Sequence, residues 1–291
     1  MIYKTNQITN KQDYIGDKYL LSISGGKDST AMILYMKEIA ESNVDYVFMD
    51  TGWEDTKTYQ YLDYLEKQLG ITINRIRANI TIKDEYKDIY DECLQIMNRQ
   101  YSDFVAVILN KGMFPSGFFK WCTVHLKIEP FQTFIDSLDY EPVSCVGIRK
   151  EESAKRSKFT EYEYNDGFKC WVWRPLIDWT EQQVIDIHRR HNIRPNPLYL
   201  NGSRRVGCYP CIYSIKKEIA KFESDYQHIK VIRLLEKHLS TRRQKDVRFF
   251  RGLPIDEILE WSKTSRGGKQ LKLFTNEQIE PSCVKWGMCG I

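Results

Sequence analysis

One hexapeptide near the start of the chain has the composition of an anion-binding loop. Residues 24–29 read Ser-Gly-Gly-Lys-Asp-Ser and lie between a short apolar run and a segment with helical spacing. Paired glycines let backbone amides approach an anion closely, and a helix N-terminus adds a positive dipole end. The Ser24 and Ser29 hydroxyls and the Lys27 ammonium complete the donor set. Since the G-x-x-x-x-G-K spacing of a Walker loop is missing, the motif predicts a cradle for pyrophosphate.

The cysteines form a second candidate site. Cys208 and Cys211 make a C-x-x-C pair, and Cys122 precedes this pair by 86 residues. A soft metal or an iron-sulfur centre needs about four converging thiolates, of which C-x-x-C supplies two. Cys122 is the natural third ligand, and either Cys283 or Cys289 is the expected fourth. The remaining cysteines with apolar neighbours are interpreted as core thiols, namely Cys93, Cys145 and Cys170.

Alternating strand and helix patterns position these residues. Apolar runs predict strands at 19–24, 44–49, 71–76, 142–148 and 169–173, and helical spacing predicts helices at 30–40, 58–69 and 180–191 and over much of 84–138. Thr180 and Gln183 form a capping pattern at the start of the last of these helices. The order predicts an α/β fold with a doubly wound, mainly parallel sheet, whose ligand sites lie at the carboxyl ends of strands. We expect an α/β domain at 1–200 and a small, helix-rich subdomain with cysteines at 201–291.

Length and composition indicate an ordinary globular protein. The 291 residues are 42% hydrophobic and 28% charged, which argues against disorder and against a disulfide scaffold. The longest apolar run is far short of the roughly 20 residues that span a bilayer, and no secretion signal is recognised. We therefore expect a cytoplasmic protein with no membrane partner, in which cysteines are thiols or metal ligands.

Basic residues are concentrated in the last third of the chain. Residues 200–291 contain 18 basic and 10 acidic side chains, against 25 and 29 in residues 1–199. Much of the excess lies in 228–252, where eight Lys and Arg residues accompany only Glu236 and Asp246. A solvated helix face and a patch for nucleic-acid phosphates are both consistent with this segment.

The 24–29 motif resembles that of the pyrophosphatase-loop (PP-loop) ATP enzymes, which have an adenine nucleotide alpha hydrolase-like α/β fold. These enzymes cleave ATP between the α and β phosphates and adenylate their substrates. The resemblance implies that ATP and Mg²⁺ bind at the loop, with catalytic roles for Lys27 and Asp28 and with the pyrophosphate held by Ser24, Gly25, Gly26, Lys27, Asp28 and Ser29.

Further segments resemble the phosphoadenylyl-sulfate (PAPS) reductase group of the same superfamily. The matching segments are 48–52, 121–123 with Leu126, Lys127 and Pro130, 147–153 with Arg156, and 174–179 leading to 196–199. By this resemblance Asp50 and Gly52 lie beside the nucleotide. Arg149, Lys150 and Arg156 face phosphate or sulfate groups, to which guanidinium forks are suited, and Arg149 and Arg156 are candidate catalytic residues.

An intact phosphate loop separates this chain from the reductases of the group. Those reductases usually carry a degraded loop, because their reaction releases no pyrophosphate. The pattern is nearest to the iron-sulfur sulfurtransferases of DNA phosphorothioation and tRNA thiolation. It favours an ATP pyrophosphatase that activates a substrate by adenylation for sulfur transfer, with sulfur from a donor such as a cysteine desulfurase and with nucleic acid as a candidate acceptor.

The same resemblance leaves alternatives at the cysteines. It favours a 4Fe-4S cluster, with structural zinc or free redox thiols as the other interpretations. Reductases of the group have a nucleophilic cysteine in a Cys-Gly-Ile or Cys-Gly-Leu tail, which Cys289 resembles. Reduction of adenylyl sulfate or of its 3′-phosphate is therefore the second functional hypothesis. The third is an ATP-sensing or nucleic-acid-binding module with structural zinc.

Overall fold

A six-stranded sheet forms the centre of the structure, a computed structural model that describes residues 16–222, 225–250 and 252–265. The strand order is β3-β2-β1-β4-β6-β5, and only the β5 and β6 pairing is antiparallel. This sheet confirms the predicted doubly wound, mainly parallel fold, to which the short edge strand β5 is an unpredicted addition. The strands are β1 (Lys18–Ile23), β2 (Val44–Asp50), β3 (Ile73–Arg77), β4 (Pro142–Val146), β5 (Tyr162–Asn165) and β6 (Cys170–Trp173).

Helices connect the strands, and five of them follow β6 within the described residues. The helices are α1 (Lys27–Glu38), α2 (Thr56–Leu69), α3 (Lys87–Met97), α4 (Asp103–Lys111), α5 (Trp121–Thr123), α6 (Glu129–Asp136), α7 (Glu181–Arg190), α8 (Pro197–Leu200), α9 (Lys216–Ile219), α10 (Tyr226–Arg243) and α11 (Ile255–Lys263). A π-helical turn, Val124–Ile128, joins α5 to α6. None of the helices within the described ranges is long and apolar enough to cross a bilayer.

Alternating side chains of the central strand pack against helices on both faces of the sheet. Leu21 and Ile23 of β1 join a buried cluster with residues of α1, α2 and α7. Leu20 points to the opposite face and packs with Phe131 and Ile135 of α6. Burial on both faces explains why the centre of β1 is an apolar run, as is usual for parallel strands.

A second core lies beside the sheet and joins helices from both halves of the sequence. Trp53 and side chains of α3 and α4 pack there against side chains of α10 and α11. In α10, the buried residues Ile229, Ile232, Leu235 and Leu239 recur at helical spacing. This core contains residues from before and after position 200. The domain boundary at 200 remains a prediction.

The strand order reverses direction between β1 and β4, and this switch point places two loops side by side. The loop after β1 leads into α1, and the loop after β4 begins at Gly147. A Cβ atom on Gly147 would lie 2.9 Å from the Asp28 carbonyl oxygen and 3.0 Å from its carbonyl carbon. Crevices at such switch points are the usual ligand sites of open α/β sheets.

We predict that Gly147→Ala lowers the free energy of unfolding by about 1–3 kcal/mol, because the new methyl group would press on the backbone of α1. Urea unfolding measures the change. The matched control is Gly207→Ala, since no described atom lies within 4 Å of the Cβ position there. Equal stability of the two variants would contradict the close approach of the β4 loop to α1.

Candidate active site

Side-chain hydroxyls hold the 24–29 loop in a fixed curve. The Ser29 hydroxyl accepts a hydrogen bond from the Ser24 amide at 3.2 Å and donates to the Gly26 carbonyl at 3.0 Å. The Ser24 hydroxyl accepts from the Gly26 amide at 3.3 Å. Gly25 has a φ of +70°, which glycine adopts without steric cost. The predicted turn between β1 and α1 is therefore confirmed, with Gly26 as the helix N-cap.

Three buried side chains from distant segments hold the same loop from outside. The Arg149 guanidinium, from the β4 loop, donates to the Asp28 carboxylate at 2.6 Å. His188 Nε2 of α7 lies 2.9 Å from the Lys27 carbonyl oxygen, to which it can donate. The Asn196 amide donates to the Gly25 carbonyl oxygen at 3.1 Å. These contacts fix the position of the helix start.

The amide at the first residue of α1 faces a tyrosine hydroxyl. The Lys27 amide donates to the Tyr199 hydroxyl at 3.1 Å. The Lys27 ammonium lies 5.2 Å from the centre of the Tyr199 ring, 3.4 Å from Asp28 Oδ2 and 3.7 Å from Glu181 Oε1. A backbone donor and a cation therefore lie on the side of the loop where an oxyanion is expected.

Asp50 lies at the carboxyl end of β2, as predicted, and is fully enclosed by donors. Its carboxylate accepts from the Gly52 amide at 2.9 Å, the Tyr59 hydroxyl at 2.7 Å and the Tyr101 hydroxyl at 2.6 Å. Gly52 has a φ of +66° and no room for a Cβ, which would lie 2.6 Å from Ser102 Cα. Asp50 therefore orders the turn after β2.

A second buried carboxylate connects this turn to the cysteines. The Tyr59 hydroxyl also lies 3.0 Å from Glu54, whose other oxygen is 3.9 Å from the Cys208 sulfur. The backbone supports this approach, because Glu54 and Cys208 form an antiparallel bridge and the Tyr209 amide donates to the Trp53 carbonyl at 2.9 Å. The C-x-x-C turn therefore lies against the end of β2.

The three described candidate ligands influence one another electrostatically. Burial raises the pKa of the Cys208 thiol to about 11, an increase that the Lys127 ammonium opposes and Glu54 supports. Burial raises the pKa of Cys122 as well, with a contribution from Cys211. The negative charge of Cys208 is the main cause that raises the pKa of Lys127. Lys127, on the π-helical turn, thus lies among the three thiols.

The structure brings these thiols together without forming a complete metal site. Within the described ranges, no group of three or more His, Cys, Asp or Glu side chains is arranged to hold a metal ion. The alternative fourth ligands, Cys283 and Cys289, lie outside the described residues. The cysteines interpreted as core thiols are buried, namely Cys93, Cys145 and Cys170.

The three cations expected to face phosphate make ion pairs within the protein. Lys150 contacts Asp178 at 2.6 Å, and Arg156 pairs with Glu152. Arg149 is also shared between Asp28 and Glu151. Their contact with a nucleotide remains a prediction, and for Arg149 a structural role in holding Asp28 is already evident.

Sequence reasoning assigned no role to several residues of the site. Glu54 lies in the turn that follows β2, and Tyr59 lies in the first turn of α2. Tyr199 belongs to the 196–199 segment, for which the sequence predicted no contact. In the sequence, the spacing of His188 and His191 predicts only that they cap or cover one helix. The partners of these site residues are between 5 and 172 residues away in sequence, so no local pattern signals most of these contacts.

We predict that acidification destabilises the parent protein more than a His188→Gln variant. Burial is the main cause that lowers the pKa of His188 in the folded state. His188 is therefore protonated at a higher pH in the unfolded chain than in the folded protein. As a result, the free energy of unfolding falls as the pH decreases below about 6.5. Glutamine keeps a donor but does not titrate. Urea unfolding at pH 7.5 and 5.5 compares the two proteins, and equal losses would contradict a neutral, buried His188.

Comparison with known proteins agrees with the resemblance of the motifs. A 37.8 kDa protein of Escherichia phage 186 is 30% identical over 324 residues, covering 93% of this chain and 96% of the phage protein. An adenosine 5′-phosphosulfate reductase of Oceanobacillus iheyensis is 24% identical over 197 residues, covering 67% of this chain and 72% of that enzyme. Two longer Methanocaldococcus jannaschii proteins match at 27% and 24% identity, and the chain spans 43% and 44% of their lengths.

The solved structures to which this chain is similar include a reductase and a thiolase. The phosphoadenylyl-sulfate reductase from Candida auris, in a phosphate complex, has a TM-score of 0.48 and 17% identity, covering 68% of this chain and 83% of its own. The U34-tRNA thiolase from Methanococcus maripaludis, with its [4Fe-4S] cluster, has a TM-score of 0.37 and 15% identity, covering 94% and 81%. Residues 18–214 match the phosphoadenosine phosphosulfate reductase domain. Since this match takes in about two thirds of the 291 residues, the chain belongs to the phosphoadenosine phosphosulfate reductase domain family.

Proposed function

We propose that this protein is an ATP pyrophosphatase that adenylates a substrate for sulfur transfer. The observation that carries the proposal is the phosphate loop at 24–29, which is intact in sequence and held by Arg149, His188 and Asn196. A loop of this type serves the release of pyrophosphate, for which a sulfate-activated nucleotide has no use. The enclosed turn after β2 lies at the next strand end, where the rest of a nucleotide would lie.

The proposed reaction begins with attack on the α phosphorus of ATP by a substrate oxygen. The bond to the bridging oxygen of pyrophosphate breaks, and Lys27 and the loop amides stabilise the charge that develops on the leaving group. Mg²⁺ would arrive with the triphosphate, whose oxygens are preferred ligands of this ion. A sulfur nucleophile then displaces AMP from the adenylated substrate, with sulfur delivered by a donor such as a cysteine desulfurase.

A 4Fe-4S cluster is proposed at Cys122, Cys208 and Cys211, with Cys283 or Cys289 as the fourth ligand. Cys211 contributes to the raised pKa of both Cys122 and Cys208, and Lys127 and Arg205 lie next to these thiols. Cations beside grouped thiols suit a thiolate-ligated centre that carries negative charge. A bound cluster would supply iron sites that hold sulfur. Because the thiols must remain reduced, we propose a cytoplasmic location.

Reduction of adenylyl sulfate is a second candidate function, favoured by the named reductases among the relatives. It would use Cys289 as a thiol nucleophile and release sulfite. Sulfite formation from adenylyl sulfate that disappears in Cys289→Ser would select this function, and AMP formation from ATP alone would argue against it.

We predict that the protein converts ATP to AMP and pyrophosphate and that Lys27→Ala or Asp28→Ala slows this reaction at least about a hundredfold, a loss typical for removal of a group that stabilises the transition state. Chromatography of labelled ATP identifies the products. Lys67→Ala, an exposed lysine on α2, is the matched control and should match the parent. ADP as the product, or full activity of both loop variants, would contradict the proposal.

We also predict that anaerobically purified protein contains iron and sulfide and absorbs near 400 nm, about where such clusters absorb. Cys122→Ala and Cys208→Ala should lose most of the iron, because each removes a ligand. Cys145→Ala removes a buried thiol of the sheet and should keep it. Zinc in place of iron in the parent would instead support the structural-zinc alternative, and normal iron in both ligand variants would exclude these cysteines as ligands.

A further inference from the structure

Two segments beside the cysteines present aromatic rings and cations to solvent. Phe118 is 83% exposed, Phe119 is 66% exposed and Tyr213 is 44% exposed. The Lys120 ammonium lies 5.3 Å from the centre of the Tyr213 ring, and the Arg205 guanidinium lies 5.9 Å from it. We call this surface the aromatic ledge, formed by Phe118, Phe119, Lys120, Arg205 and Tyr213.

A hydrogen-bonded turn presents the two phenylalanines. The Ser116 amide donates to the Phe119 carbonyl at 3.1 Å, and the Phe119 amide donates to the Ser116 hydroxyl at 3.1 Å. Exposing two adjacent phenylalanine rings on an ordered turn is unfavourable in water, and exposed apolar patches of this kind mark interaction sites.

The ledge is directly connected to the candidate sulfur site. Arg205 of the ledge also contacts this site, because its Nη2 atom is 3.3 Å from the Cys211 sulfur. Lys120 is two residues before Cys122. A ligand that rests on the ledge would therefore reach the thiols without crossing the protein.

Charge indicates what kind of ligand the ledge fits. Residues 111–128 contain three Lys and no Asp or Glu, and residues 199–217 contain four Lys or Arg and no Asp or Glu. Exposed rings with adjacent cations match the unpaired bases and backbone phosphates of a single strand. Both features together fit single-stranded nucleic acid better than an apolar protein partner.

The basic segment at 228–252 is less suited to this task. Arg233 pairs with Asp256 at 2.6 Å, Arg242 with Glu85 at 2.7 Å and Arg248 with Asp246 at 2.5 Å. The apolar side of α10 is buried in the second core. Three of the eight Lys and Arg residues of this segment are thus paired with acidic side chains of the protein.

We propose that the aromatic ledge binds single-stranded nucleic acid and brings an unpaired nucleotide to the cysteines as the sulfur acceptor. The binding surface follows from the ledge itself, whereas the acceptor role rests on the proposed function. Bases stack on the exposed rings, and Lys120 and Arg205 contact phosphates.

Fluorescence anisotropy with labelled 15-nucleotide single-stranded RNA, single-stranded DNA of the same sequence and the DNA duplex tests the proposal without ATP. We expect the parent to bind one or both single strands more tightly than the duplex, and the two single-strand arms identify the sugar that is recognised. The double variant Phe118→Ala/Phe119→Ala should weaken binding about tenfold or more, since each stacked base contributes on that order. Tyr213→Ala should weaken it as well.

Matched controls separate the ledge from general effects. Tyr164→Ala removes a ring that is 48% exposed on the edge strand β5 and should bind like the parent. Lys230→Ala/Lys237→Ala removes two exposed cations of α10 and should cost less than the ledge variants. Lys27→Ala should keep oligonucleotide binding while losing AMP formation, so that failure of either proposal is visible separately.

Several outcomes would overturn the proposal. The first is that the parent fails to bind any oligonucleotide in this assay, and the second is that the double phenylalanine variant binds within twofold of the parent; either result contradicts the ledge as the binding surface. The third such outcome is a loss of affinity in the α10 variant equal to that in the ledge variants. Unchanged thermal midpoints of the ledge variants confirm that their loss of binding does not come from unfolding.

Discussion

The contacts that hold the first turn of α1 in place are the constraint on which the candidate site depends. The free amides of the first helical turn bind an anion only if they keep one orientation. The favourable effect of the helix dipole is also limited to this first turn. Here the Arg149 guanidinium, the His188 imidazole and the Asn196 amide each hold a different residue of the loop. Each of the three belongs to a segment that follows β4 in the sequence. The position of the loop therefore depends on segments that follow β4, in addition to the hydrogen bonds within the loop itself.

The sheet topology explains why these segments meet. Because β1 lies between β2 and β4, the loop after β1 has a neighbouring strand end on each side. One side supplies Gly147 and Arg149, and the other supplies Asp50 and the turn that carries Glu54. The Tyr59 hydroxyl contacts both Asp50 and Glu54, and Glu54 approaches Cys208. A nucleotide bound at the loop would consequently lie within one connected set of side chains that ends at the thiols.

Local features of the fold could be predicted from the sequence, whereas long-range contacts could not. The predicted strands, the turn at 24–29 and the capping pair Thr180 and Gln183 are confirmed, since each depends on neighbouring residues. The edge strand β5 was missed because its four residues, Tyr-Glu-Tyr-Asn, are half exposed and carry no apolar run.

The candidate site shows the same difference between local features and long-range contacts. Spacing singled out the phosphate loop and the C-x-x-C pair, but Glu54, Tyr199 and His188 acquire their roles only through partners brought close by folding. The basic segment at 228–252 shows what a linear count of charge leaves out. Arg233 and Arg242 pair with Asp256 and Glu85, which lie outside that segment.

A crystal structure with a non-hydrolysable ATP analogue would show whether the 24–29 loop binds the triphosphate. We predict that the β and γ phosphates accept hydrogen bonds from backbone amides of 25–29, that the Tyr199 hydroxyl leaves the Lys27 amide, and that Arg149 remains on Asp28. An analogue bound elsewhere, with the Tyr199 hydroxyl still on the Lys27 amide, would contradict it.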